Sequence, residues 1–144
     1  MIDAILATDM SHHFAKFGIF KGKVLSEDLD PKSADEKHIL CQELFHLADI
    51  SNSTKQFDIC LKWCELLFVE FFHQGDIEKK LGHNVSMFMD RCTTNISKSQ
   101  VGFINFIIKP SFEAATIFLP GIHRNIENME LNKRNYESRV EEDE

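Results

Sequence analysis

The chain has 144 residues and a formal net charge of −7 at neutral pH, which argues against the basic surface a nucleic-acid-binding protein needs. Its four cysteines form no CxxC pair, which excludes the usual zinc-ribbon frameworks. With 13 Phe but only 6 Gly and 3 Pro, the composition suits a helical chain that buries a hydrocarbon core.

Taken in chain order, Ile2 to Phe17 predicts one helix, with Ile2, Ile5, Leu6, Met10, Phe14 and Phe17 at helical spacing. Gly18 to Ser33 has no clear period and reads as a loop. Ser33-Ala-Asp-Glu36 reads as a capping box opening a second helix that ends near Asp49. Ser51-Asn-Ser-Thr54 is a turn. The next helix carries Phe57, Cys60, Leu61, Cys64, Leu67, Phe68, Phe71 and Phe72 on one stripe, widened by Ile59, Trp63, Leu66 and Val69. A helix this apolar is expected to be nearly surrounded by protein and to end near Gly75. Cys60 and Cys64 read as reduced core thiols.

A polar helix is expected from Asp76 to Leu81, stopped by Gly82, and a short turn from Ser86 through Met89. Ile96 to Ile108 predicts a helix broken at Pro110, resumed from Phe112 to Leu119 and ended by Pro120-Gly121. A charged helix follows from Ile122 to about Arg139, then an acidic tail from Glu141 to Glu144. The class is all-α, divided into residues 1–120 and a charged C-terminal helix and tail over 121–144. There is no apolar run of roughly 18 residues that could cross a bilayer. Met1 opens directly on an amphipathic pattern, as expected of a boundary inside a longer domain.

Two constellations could carry chemistry. His46 and Asp49 lie one helical turn apart at a helix end. The pair can present a metal ligand and its supporting partner, or be a capped, solvated pair. Gln100 and Phe103 share a helix face, where a carboxamide and a ring can read and stack on a base, or serve as ordinary core residues. The adjacent His12 and His13 point about 100° apart and are no natural chelating pair, while His73, His83 and His123 read as surface or packing residues.

Four ordered blocks resemble class I cyclic nucleotide phosphodiesterases. They are Leu6-Ala-Thr-Asp-Met-Ser11 with His13, then His46-Leu-Ala-Asp-Ile-Ser-Asn52, then Glu70-Phe-Phe with Gln74-Gly-Asp76, and last Ser99-Gln-Val-Gly-Phe-Ile104 with Pro110. The resemblance covers roughly residues 1–120. It implies the C-terminal part of a multi-helix, HD-type catalytic domain that hydrolyses cAMP, cGMP or both to the 5′-monophosphate by two-metal chemistry.

Residue by residue, the resemblance makes Asp49 a metal ligand supported by His46. It makes Gln100 the purine's hydrogen-bond partner, and Phe103 with Leu67 the clamp on the base. Asn52, Trp63, Phe71, Phe88 and Met10 become lining residues. Ser53 stands where the family usually has Pro, and Cys60 and Cys64 replace bulkier or hydroxyl residues, which leaves the choice of base open. The family's His-Asn-x-x-His motif and His-Asp pair are absent, and with them the general acid. Zinc with magnesium or manganese is thus expected in the complete domain and not on these residues alone.

The implied setting is cytoplasmic, or the cytoplasmic face of a membrane if an anchor lies upstream. The implied partner is the cyclic nucleotide, with homodimerisation open to the full protein and no membrane contact from this segment. The competing function is a catalytically dead helical module that binds nucleotide or a protein partner.

Overall fold

A computed structural model describes residues 2–26, 30 and 32–143, with side chains to Val140. The helices are α1 (Ile2–Leu6), α2 (His13–Leu25), α3 (Ala34–Asp49), α4 (Phe57–Lys80), α5 (Ile96–Phe103), α6 (Lys109–Ala115) and α7 (His123–Asp143). Three 3₁₀ turns, Met10–His12, Ser51–Thr54 and Pro120–Ile122, join them. There is no strand among the described residues, so the all-α expectation holds.

The first predicted helix is two. Asp9 accepts a hydrogen bond from the Ser11 amide at 2.9 Å, capping a new start, so the chain turns between α1 and α2. The predicted loop from Gly18 is helical to Leu25. Gly18 and Gly22 cost roughly 1 kcal/mol each in a helix. Burial of Phe20 and Val24, at about 1.5–3 kcal/mol per large apolar side chain, outweighs that. The capping box does not form either. Ser33 makes no side-chain cap, and Glu36 instead binds Lys23 at 2.7 Å and the Asp30 amide, tying α3 to α2.

Helix α4 runs unbroken through Gly75 for 24 residues, about 36 Å. Gly75 is there for closeness: a Cβ at that position would stand 1.9 Å from the Met89 carbonyl oxygen. The helix ends at Gly82, whose φ of +74° suits glycine. α4 is not surrounded by protein. Its inner stripe of Cys60, Cys64 and Phe68 is buried, but Ile59, Trp63, Leu66 and Val69 are exposed, because its apolar surface is wider than the helices packed on it.

Pro110 does not break the next helix. The five residues Ile104–Ile108 form a π-helical segment, closed by the Lys109 amide reaching back to the Ile104 carbonyl. This wider turn lets α5 and α6 run as one rod past the proline. The core joins Leu47, Cys60, Cys64, Phe68, Ile104, Ile108, Met129 and Tyr136, drawn from α3, α4, the π segment and α7. Helix α7 is charged outside, yet along its inner face Met129 and Tyr136 are buried, and it packs most extensively on α5.

Candidate functional site

The end of α3 faces a polar, buried patch. His46 and His13 are both buried and meet through His46 Nε2 and His13 Nδ1 at 2.9 Å. Burial pushes both imidazoles below their ordinary pKa, so the pair is neutral, with one ring donating and the other accepting. Glu43, one turn earlier on α3, is also buried, and burial lifts its carboxyl from 4.5 to about 7 against the opposing pull of Lys16. His13 Nε2, His46 Nδ1 and Glu43 Oε1 have no hydrogen-bond partner. These side chains line a cavity of about 60 Å³ with Ala7, Lys16 and Gln42.

Asp49 closes α3 and is exposed. Among the described residues no three His, Cys, Asp or Glu side chains stand close enough to hold a metal ion. The donors present here therefore do not make a metal centre; Asp49 is at most one ligand of one.

Asn52 lies in the 3₁₀ turn just after Asp49, and its Oδ1 is taken by the Ser53 amide at 2.9 Å. A cavity of about 230 Å³ beside this turn is lined by Leu47, Ala48, Ser51, Lys55, Phe112 and Asn125, among others. Gln100 and Phe103 line neither of these two cavities.

Gln100 sits on α5, which starts at a side-chain cap: Asn95 Oδ1 accepts from the Lys98 amide at 2.8 Å. The Gln100 side chain is only 4% exposed, and its Oε1 is buried without a partner. Phe103, one turn on, and Phe71 on α4 are half-buried against the core, while Leu67 is half-buried on α4. Three other candidates stand further out. Trp63 is 59% exposed, Phe88 47%, and Met10 is exposed on the corner between α1 and α2.

Phe88 has a left-handed backbone, φ +67°, at the third position of the Ser86–Met89 turn. For a residue with this side chain the conformation is strained, and the surroundings must hold it. Glu78 does so by accepting from the Ser86 amide at 2.7 Å and the Ser86 hydroxyl at 2.8 Å. The Lys79–Asp90 pair at 2.7 Å and the Arg91–Asp76 pair fasten the rest of the loop to α4.

The sequence profile of 3′,5′-cyclic nucleotide phosphodiesterases matches residues 1–129. The chain belongs to this family. The rat 3′,5′-cyclic-AMP phosphodiesterase 4C is 35% identical over 148 residues, covering 97% of this chain and 27% of that protein. The mouse dual specificity calcium/calmodulin-dependent 3′,5′-cyclic nucleotide phosphodiesterase 1B is 40% identical over 116 residues, covering 81% of this chain and 21% of that protein. The solved structure of LmjPDEB1 in complex with IBMX superposes with a TM-score of 0.91 at 26% identity, covering 97% of this chain and 42% of that one. The chain thus spans between about a fifth and two-fifths of the phosphodiesterases it matches. Members of this family generally use divalent metal ions.

Two features of this phosphodiesterase segment were not visible as motifs. His13 joins His46 only through the packing of α2 on α3. Asn125, Asn128 and Asn132 on α7 reach the turn after Asp49; their spacing of three and four was the one signal, and it lay in a helix read as merely charged. No described helix is long and apolar enough to cross a membrane.

Proposed function

We propose that this chain is the base-recognition portion of a 3′,5′-cyclic nucleotide phosphodiesterase catalytic domain, acting on cAMP, cGMP or both. The reaction joins a water oxygen to phosphorus and breaks the bond to the 3′ oxygen, which leaves with a proton. These residues position the substrate. Gln100 hydrogen-bonds the purine edge, Phe103 and Leu67 hold its faces, and Phe71, Trp63, Phe88, Asn52 and Met10 line the approach. Asp49 contributes one carboxylate to a metal centre whose other ligands, and the general acid, lie outside these residues. His46, held by His13, supports that end of α3.

The observation that carries this reading is the unpartnered Oε1 of Gln100. A buried acceptor with no hydrogen bond costs about 1–3 kcal/mol, and a donor on a bound base would relieve that cost. An adenine amino group or a guanine ring N–H supplies one, and the amide can turn to serve either base.

The test is hydrolysis of cAMP and cGMP by the intact protein and its Gln100→Ala variant. The variant raises KM and leaves kcat within a few fold. Unchanged nucleotide binding would show that Gln100 does not hold the purine. Residues 1–144 alone are expected to hydrolyse neither nucleotide, and metal-dependent turnover by the pure segment would refute that. The coding sequence ahead of Met1 is expected to supply His-Asn-x-x-His and His-Asp; a stop codon close before Met1 favours the catalytically dead module instead.

A further inference from the structure

We infer that α7 is a positioning element of the site: its asparagines Asn125, Asn128 and Asn132 set the backbone of the turn between Asp49 and α4. The inference rests on the phosphodiesterase reading above.

The turn is the hinge of the candidate site. Asp49 precedes it at the end of α3, and α4, which carries Leu67 and Phe71, begins just after it at Phe57. Its shape therefore sets how the metal-side carboxylate stands relative to the wall of the base pocket. The turn satisfies the Asn52 carbonyl from within, through the Lys55 amide at 3.2 Å, but Ser53 and Thr54 are fully buried, so their carbonyls need donors from another element.

The donors come from α7. The Asn132 amide nitrogen donates to the Ser53 and Lys55 carbonyls, both at 2.8 Å. Asn128 donates to the Thr54 carbonyl at 3.1 Å. Asn125 donates to the Thr54 hydroxyl at 3.0 Å, which in turn donates to the Ser51 carbonyl at 2.8 Å. Three successive carbonyls, and a fourth through Thr54, are thus captured by one helix.

Along its inner face α7 alternates these amides with apolar anchors: Asn125, Met129, Asn132, Tyr136. Met129 and Tyr136 fix the helix in the core, and Tyr136 OH lies 3.5 Å from Cys60 Sγ on α4. Apolar residues at all four positions would bury α7 without the desolvation cost of amides. The amides are aimed at a single turn, the one beside Asp49. Asn132 even leaves its own Oδ1 buried and unpartnered to do so.

The test compares variants of the intact protein by steady-state cyclic nucleotide hydrolysis, with melting temperature measured alongside. Asn125→Ala and Asn128→Ala each remove one bond at a half-buried position, and Asn132→Ala removes two at a fully buried one. Tyr136→Phe loosens α7 away from the turn and serves as the control for stability alone.

If α7 positions the turn, Asn128→Ala lowers kcat about tenfold or more with KM changed less than about threefold, because the displaced group bears on the reacting phosphate side. Asn128→Gln, which keeps an amide donor, recovers most of that loss. Tyr136→Phe melts earlier with kcat and KM within about twofold of wild type. Asparagine variants that melt earlier, like Tyr136→Phe, but keep kcat and KM overturn the inference alone. A wild-type protein that hydrolyses no cyclic nucleotide overturns the phosphodiesterase reading, and this inference with it.

Discussion

Replacing Glu43 by glutamine removes a carboxyl from the buried face between α2 and α3 while keeping the shape of the side chain. Burial lifts this carboxyl from 4.5 to about 7, with Lys16 only partly offsetting it. Between those two values the folded protein holds a proton that the unfolded chain has released. Stability therefore falls as pH rises across that window, and the full penalty is present above it. A shift of about 2.5 pKa units at roughly 1.4 kcal/mol each amounts to about 3–4 kcal/mol.

His13 and His46 act in the opposite direction. Their lowered pKa makes the unfolded chain the better proton binder below 6.5, so their contribution is lost as pH falls through that region. Both histidines remain in the variant and cancel in the comparison. The assay is thermal unfolding followed by far-ultraviolet circular dichroism from pH 5 to pH 8.5. At pH 5 the two proteins melt within about 2 °C of each other; at pH 8.5 Glu43→Gln melts about 10 °C higher, given a chain of this length. An offset that stays constant across pH would mean Glu43 ionises like an exposed carboxylate, and the account of this patch would be wrong.

Gly75→Ala destabilises the protein by about 2 kcal/mol or more, read as an earlier melt, because the new methyl meets the Met89 carbonyl and the Phe88 loop must lift off α4. Gain of stability from the better helix former would refute the close approach. In the intact protein, Gln100→Ala raises KM by about 5- to 150-fold, the equivalent of about 1–3 kcal/mol, with kcat nearly kept. Asp49→Ala abolishes hydrolysis without changing the melting temperature by more than about 2 °C, since this carboxylate is exposed. Retained turnover would remove Asp49 from the metal site.

Local pattern carried the helical class and the order of the motifs. Apolar spacing marks the inner stripe of α4 at Cys60, Cys64 and Phe68, and the blocks around Asp49 and Gln100 are contiguous in the chain, so both survive without knowledge of the fold. Glycine and proline misled wherever their reason was tertiary. Gly75 marked a helix end by local rules, but it answers to the Met89 carbonyl. Gly18 stayed helical because Phe20 and Val24 found a core, and Pro110 was absorbed by a π turn.

The chemistry at the end of α3 was legible only in part for the same reason. The motif names His46 and Asp49, but the partner of His46 is His13, 33 residues away in the chain. Asn132 reaches the turn across 79 residues. Periodicity records what one element can bury. It cannot say which distant donor satisfies a carbonyl, and hydropathy counts an inward asparagine as a surface residue. Sequence alone determined the helical class and the family blocks. Only the tertiary structure decided that His13 pairs with the buried His46 and that α7 grips the turn after Asp49, because both depend on polar groups meeting across the core.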